Sequence, residues 1–341
     1  MHHGEVTPEI AQGLLALQGY IKDAGIPASQ LDETLNFAVW NIREFGKTPR
    51  SPAALHLIAE ILGQFDLVAL VELRDDLEDL KEVLGYLGDY WDIVYSDWIP
   101  DSGGNHERIG YLFDTRAVIF NGLAAEADAP RGKKAEEYLA ARSFWRAPYL
   151  CSFRSGNFDF LALTTHARWG DSLEGRQAEL QMLADWIDTR FKSQFVEDHD
   201  LIVAGDFNIP QLDDALFKAL TSRGLEIPEC LRQLKCGDQI LGGTNLAGTA
   251  RYDQILHRPT QKAKAGKAAP AAEAFVVTAG GTLNFFQKGD GIKALFPDKS
   301  YTLEEFTFQL SDHLPLWVQI KTDIEGQRLN QIIQASRAAK H

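Results

Sequence analysis

The chain has 341 residues, 45% of them hydrophobic, enough to bury a large core as one big domain or two of ordinary size. Its formal net charge of −14 argues against holding a polyanion by overall charge, although a bound divalent ion reverses the field inside its own carboxylate cluster. No apolar run approaches the roughly 18–20 residues that cross a bilayer.

No Lys or Arg precedes Lys22, and Gln12 and Gln18 interrupt the apolar stretch before it, a poor secretory signal. Residues 10–21 instead predict an amphipathic helix with Ile10, Leu14, Leu17 and Ile21 on one face. A short strand is expected over Asn36–Trp40, with Asn41 just past it. Ser51-Pro52 opens a helix to about Leu62, with Pro at its first position. Asp66 to Val71 is a nearly continuous apolar run that suits a strand covered on both faces, and Glu72 follows it. Asp76 to Leu87 reads as a helix with Leu77, Leu80 and Leu84 inward. Further strands are expected at Ile93–Tyr95, Ile109–Phe113, Val118–Phe120, Tyr149–Phe153, Phe158–Thr164 and Leu201–Ala204. Arg176 to Phe191 is a helix striped by Leu180, Leu183, Ala184 and Ile187. Gln261 to Pro270 is Ala/Lys-rich and reads as a mobile surface loop, and residues 324–341 as a polar helix or tail. Cys151, Cys230 and Cys236 are an odd and small set, and Cys230 and Cys236 lack metal-ligand spacing. They predict reduced thiols in a cytoplasmic protein, with one disulfide possible. No linker divides the chain, so one domain over residues 35–320 is expected, with a helical extension over 1–34 and a tail over 321–341.

Two stretches carry the chemistry. Gly205-Asp206-Phe207-Asn208 follows the apolar run Leu201–Ala204, and Ser311-Asp312-His313 precedes the run Leu314–Ile320. Buried strands that end in oxygen- and nitrogen-bearing loops build metal-assisted sites for phosphate esters. Such hydrolysis needs a cation on the non-bridging oxygens, an aligned water, a group to deprotonate it and relief of charge on the leaving oxygen. Asn41, Glu72, Asp206, Asn208 and Asp312 are the oxygen-bearing candidates. His166, closing Leu161-Ala-Leu-Thr-Thr-His166, and His313 are the imidazoles. Glu107 and Asp253 are acids suited to orienting an imidazole. Arg is suited to phosphate through paired donors, although an exposed Arg commonly pairs with any nearby acid. Trp40 and Trp317 read as core aromatics. His106 and His199 read as solvated loop histidines, and Trp169 as either surface or a wall of the cleft.

Six motifs in order, Trp40-Asn41-Ile42, Val71-Glu72, Thr165-His166, Gly205-Asp206-Phe207-Asn208, Tyr252-Asp253 and Ser311-Asp312-His313, resemble the endonuclease/exonuclease/phosphatase superfamily over about residues 35–320. Glu72-Leu-Arg74-Asp75, Glu107-Arg108-x-Gly-Tyr-Leu-Phe113 and Ser143-Phe-Trp-Arg146-Ala-Pro148 are similar to its pancreatic-type deoxyribonuclease branch. Ala167-Arg168-Trp169-Gly170-Asp171 is closer to bacterial members. The resemblance implies an α/β fold, a two-layer β-sandwich of mixed sheets flanked by helices, in the four-layer arrangement of deoxyribonucleases.

It also implies roles. Glu72, Asn41 and Asp312 would place a Mg²⁺ ion or its waters, with Mn²⁺ or Ca²⁺ as other candidates. Asp206 and Asn208 would position the water and the phosphate. His166 with Glu107, and His313 with Asp253, would be the two acid–base or charge-stabilising imidazoles. Arg74 and Arg146, and more loosely Arg43, would contact the substrate backbone. The implied activity is endonucleolytic cleavage of DNA with little sequence preference, since no segment is marked for base reading. A phosphatase or phosphodiesterase acting on inositol phosphates, sphingolipids or nucleotides is the alternative. A non-catalytic scaffold is a third possibility, which the filled polar positions oppose. No obligate protein partner is evident.

Overall fold

A computed structural model of the protein describes residues 2–98, 106–128, 131–134, 137–140, 143–170, 172–212, 214–234, 242–258, 276–286 and 289–338. Helix α1 (Pro8–Ala24) is followed by strand β1 (Thr34–Phe45), helix α2 (Pro52–Leu62), strand β2 (Leu67–Leu73), helix α3 (Glu78–Leu87) and strands β3 (Trp91–Tyr95) and β4 (Arg108–Asp114). Strands β5 (Ile119–Glu126), β6 (Arg131–Lys134), β7 (Glu137–Ala140), β8 (Tyr149–Ser155) and β9 (Phe158–His166) lead into helix α4 (Leu173–Phe191). Strand β10 (Leu201–Asp206), helices α5 (Ala215–Thr221) and α6 (Glu229–Arg232) and strands β11 (Asp253–His257) and β12 (Val277–Thr282) come next. Helices α7 (Gly291–Leu295) and α8 (Leu303–Gln309), strand β13 (Leu316–Lys321) and helix α9 (Glu325–Ala338) complete the chain.

Among the described residues the strands form one sheet in the order β12-β13-β1-β2-β4-β3, a second in the order β11-β10-β9-β8-β5, and the hairpin β6-β7. Each large sheet has one parallel pair, β1 with β2 and β9 with β10. Its other pairs are antiparallel. Both sheets are therefore mixed, as expected.

The period-two alternation of strand side chains explains the layering. Along β1, Phe37 and Val39 pack with Tyr111, Phe153, Phe160 and Ile202 between the sheets. Ala38, Trp40 and Ile42 face the other way, onto Leu17, Ile58 and Phe306 of the helices. The outer face of the second sheet, with Leu163 and Val203, is covered by Leu183 and Ile187 of α4 and Leu216 of α5. The result is helix, sheet, sheet, helix.

Local signals set the helix starts. Thr7 caps α1, with Pro8 at its first position and Gly25 closing it in the left-handed region, and Ser51 caps α2 just before Pro52. Helix α1 buries Leu14 and Leu17 in the same core as α2. A hydrogen bond from Gln18 to Glu60 (3.0 Å) ties the two helices together. Among the described residues no helix is long and apolar enough to cross a membrane.

Several expected boundaries move. Strand β1 runs to Phe45 and β2 to Leu73, so Asn41 and Glu72 lie inside strands rather than after them. Helix α4 starts at Leu173, capped by the Ser172 side chain, and β5 extends to Glu126. Strands β11 and β12 lack an alternating apolar pattern. Small residues fill β12, and pairing with β13 makes it a strand. The Lys/Ala-rich segment 261–270 and Cys236 lie outside the described residues. Cys151 and Cys230 are free thiols.

Candidate active site

The parallel strands β1, β2, β9 and β10 end on the same side of the two sheets. Their pairing places Asn41 beside Val71 and Asp206 beside His166. The ladder between β1 and β2 shifts register between Asn41 and Phe45, and Glu72 sits in the left-handed region at φ 64°. This local break re-aims the Glu72 side chain. Its Oε2 accepts from the Glu44 N–H (2.8 Å), and its Oε1 accepts from Asn41 Nδ2 (3.0 Å). The same amide nitrogen donates to Asp206 Oδ2 (3.1 Å), so one buried asparagine joins the two sheets.

Gly205 lets β10 lie close against Thr165 of β9 just before Asp206. Its φ is 149°, and a Cβ there would lie 1.9 Å from the Thr165 carbonyl oxygen. Gly205→Ala is expected to destabilise the fold by about 1–3 kcal/mol through overpacking plus the unfavourable φ. Urea unfolding at matched m-value checks this. Beyond it, Asn208 adopts φ 52°, which its short amide side chain tolerates. Its N–H donates to Asp206 Oδ1 (2.9 Å) and its Nδ2 to the Ala167 carbonyl (3.0 Å), while the Arg176 guanidinium holds its carbonyl.

Two imidazoles complete the cluster in matching ways. His166 Nδ1 lies 2.8 Å from Glu107 Oε2, and His313 Nδ1 lies 2.8 Å from Asp253 Oδ2. Their Nε2 atoms approach the same Asp206 Oδ2, at 3.7 and 3.8 Å. Each carboxylate fixes its partner's tautomer and ring direction. The Thr244 hydroxyl also donates to Asp253 Oδ2 (2.6 Å). The Ser311 hydroxyl donates to the Asn41 carbonyl (2.6 Å) and accepts from the His313 N–H (3.0 Å), while Trp40 Nε1 donates to the His313 carbonyl (3.0 Å).

Burial alone pushes the His166 imidazole down, but the Glu107 carboxylate, with Asp206 behind it, outweighs burial and Arg146 and leaves it above its ordinary value. Burial also opposes charge on His313, yet Asp253 and Asp206 raise it well above the usual imidazole range. For Asp206, burial works upward. The two imidazoles, the Asn208 N–H and the Asn41 amide reverse this and hold it below the usual carboxylate range. Two protonatable imidazoles facing one anionic oxygen form a site able to take and return protons at a phosphate.

The remaining predicted residues fall around this centre. Arg146 grips Glu107 (Nε to Oε2 2.6 Å, Nη2 to Oε1 3.0 Å) and reaches the His166 carbonyl (3.4 Å). Arg74 is buried, with Nη1 3.6 Å from Glu44 and 3.8 Å from Glu107. Arg43 points elsewhere: its guanidinium bonds the Thr307 hydroxyl of α8 and lies 3.8 Å over the Phe308 ring. The Asp312 carbonyl accepts from the Leu246 N–H, and its negative charge contributes to raising His313. Trp40 and Trp317 are buried as expected. His106 lies 3.2 Å from Asp75 and packs on Trp98. Trp169 is exposed. Sequence reasoning missed Ser311, Thr244, Arg176 and the Trp40 N–H as supports. Ser311 and Trp40 stand inside motifs the sequence already marks, Ser311-Asp312-His313 and Trp40-Asn41-Ile42, whereas Thr244 and Arg176 have no local signal.

A hard divalent cation fits the donors present. Asn41 Oδ1 is buried with no hydrogen-bond partner, next to the carboxylates of Glu72 and Asp206. Ligand atoms of Glu72, Glu107 and His166, and of Asp206, Asp253 and His313, cluster within 4.8 Å. In each group the imidazole Nδ1 is already bound by a carboxylate. The remaining donors are mainly oxygens, the set that Mg²⁺, Mn²⁺ and Ca²⁺ favour.

A family profile described as the Endonuclease/Exonuclease/phosphatase family matches residues 38–313. The chain is 32% identical over 208 residues to a protein of Thioalkalivibrio sp. (strain K90mix) named Deoxyribonuclease, covering 55% of this chain and 50% of that one. It is 29% identical over 202 residues to Deoxyribonuclease-1 of Bos taurus, covering 57% and 65%. The matches thus span between half and two thirds of these relatives' lengths. The solved human Nocturnin catalytic domain superposes over 86% of this chain and 96% of its own, with a TM-score of 0.53 at 16% identity, a likeness of fold.

Proposed function

The chain belongs to the endonuclease/exonuclease/phosphatase family, and from that premise we propose that it is a phosphoester hydrolase, specifically a divalent-metal-dependent endonuclease cleaving DNA with little sequence preference. The observation that carries this reading is the approach of two carboxylate-held imidazoles to one Asp206 oxygen, at 3.7 and 3.8 Å. The names of the relatives from Thioalkalivibrio and Bos taurus support DNA as the substrate. We assign catalysis to residues 35–320, with the segments before and after as extensions.

Glu72, Asn41 and Asp312 would hold the cation, with the Asp206 carboxylate beside Asn41. When bound, it supplies positive charge to the non-bridging phosphate oxygens. The protein's own groups do the rest. Asp206 and Asn208 orient the attacking water. His166 and His313 share the acid and base roles, one taking the water's proton at Nε2 and the other giving a proton to the leaving oxygen. Arg146 and Arg74 hold Glu107 in place and keep positive charge beside the substrate backbone.

Incubating purified protein and Mg²⁺ with supercoiled plasmid, RNA, abasic duplex and a panel of inositol phosphates, sphingolipids and nucleotides tests the proposal. Relaxed and then linear plasmid is the expected product. Turnover confined to the small esters would overturn the nuclease reading in favour of a phosphatase.

The raised His166 value gives a signed expectation. If His166 must be neutral to accept a proton, its raised pKa sets the acidic limb of kcat/KM at a higher pH than a free imidazole would. Glu107→Gln removes the main charge that raises it, so the limb should move to lower pH and the maximal rate should fall. An unshifted limb in the pH profile would place His166 outside the titrating step.

A further inference from the structure

A concavity formed by residues close in sequence to Arg146 and His166 is not used by the hydrolytic groups. It encloses about 800 Å³ and is lined by Ser143, Trp145, Arg168, Ser172, Glu174 and Glu179, among others. Its two walls continue directly from the active site. Trp145 precedes Arg146, whose guanidinium reaches the His166 carbonyl, and Arg168 follows His166 by two positions.

Both walls are loops, yet one side chain fixes them. Glu179 of α4 accepts from the Trp145 N–H through Oε1 (2.7 Å) and from the Arg168 N–H through Oε2 (2.9 Å). Trp145 nevertheless leaves 52% of its surface exposed, with the Arg168 guanidinium 4.9 Å over its ring. The backbone that carries this half-exposed indole is already fixed by Glu179, so less conformational freedom remains to be lost when a flat partner binds.

We propose that this concavity receives an unpaired nucleobase of the substrate strand, stacked on Trp145 beside the phosphate being cleaved. The inference rests on the nuclease reading above and refines its substrate. Stacking suits any base, since each presents a π-face, and the Arg168 guanidinium adds a cation to the same platform. A base fits this site better than a second phosphate does. Glu174 and Glu179 put carboxylates in the lining, where an anion is repelled but the amino groups of a base find acceptors. The Ser143 and Ser172 hydroxyls in the same lining can meet either donors or acceptors. A base can enter only when it is out of its pair, so single-stranded, frayed or nicked DNA should be cleaved in preference to closed duplex.

The test compares two strands of equal length with Mg²⁺: one with natural bases, the other with abasic residues flanking its single cleavable linkage. In Trp145→Ala, the ratio of kcat/KM for the base-bearing strand to that for the abasic strand should fall by about 5- to 150-fold, the range that loss of one base–aromatic stack of about 1–3 kcal/mol implies. Trp145→Phe should restore most of the ratio, and Arg168→Gln should lower it less. A ratio unchanged by both Trp145→Ala and Arg168→Gln overturns the inference and leaves the nuclease reading intact. Failure of the parent reading looks different: the wild-type protein would cleave neither strand nor plasmid while hydrolysing a small ester such as bis(4-nitrophenyl) phosphate.

Discussion

His166→Ala and His313→Ala are each expected to lower the rate of plasmid cleavage by about 10²–10⁴-fold, the usual contribution of a positioned proton-transfer group, with the fold retained. Each ring presents one nitrogen to Asp206 and has the other held by an acid, so neither can be replaced by a neighbour without losing that alignment. Removing His166 leaves Glu107 paired with Arg146. Removing His313 leaves Asp253 buried with the Thr244 hydroxyl as its remaining side-chain partner among the described residues. The second variant should therefore be the less stable, by about 1–3 kcal/mol for the under-paired acid. The His313 backbone stays anchored by Ser311 and Trp40 in either case. Because the two imidazoles act as a unit, the double variant should be little slower than the slower single one. Initial rates at saturating Mg²⁺, with circular dichroism as the control for folding, measure this. Near-wild-type hydrolysis by both single variants would refute the assignment.

Asp206→Asn should cost about 10²–10³-fold in turnover, the scale of removing one preorganised electrostatic group from a buried site. The Asn side chain keeps an oxygen to accept the Asn208 N–H, now made to Asp206 Oδ1, so the turn survives. What disappears is the charge that both imidazoles face. Since Asp206 helps to raise both His166 and His313, the acidic limb of the rate profile should also move to lower pH. This expectation carries two independent readouts, rate and pH. Activity within tenfold of wild type together with an unmoved limb would remove Asp206 from the centre of the site.

The residues of the candidate site could be read largely from the chain because their local motifs couple a buried strand to a polar end. Asp206 after Leu201–Ala204 and His166 after Leu161–Thr165 stand where a strand emerges, and the structure places them side by side. Arg43 shows the limit of such reading. The resemblance loosely implies a substrate contact for Arg43, but its guanidinium lies on Thr307 and Phe308 beside α8. Arg146 and Arg74 had two readings, substrate contact or partner of a nearby acid. Arg146 grips Glu107, while the acids nearest the Arg74 guanidinium are Glu44 and Glu107 at 3.6 and 3.8 Å, which makes Arg146 a support of His166 first.

Chemical identity and order along the chain were determined by the sequence itself: which strands are apolar enough to be buried, where carboxylates, amides and imidazoles follow them, and where Ser51-Pro52 starts a helix. These follow from nearest-neighbour sterics and from side-chain periodicity, which act over a few residues. Only the tertiary structure decided the left-handed bend at Glu72, the convergence of both imidazole Nε2 atoms on one Asp206 oxygen, and the Asn41 amide oxygen left without a partner. Each depends on two sheets packing face to face. The register between them is set by the summed fit of many buried side chains, so no local stretch encodes it.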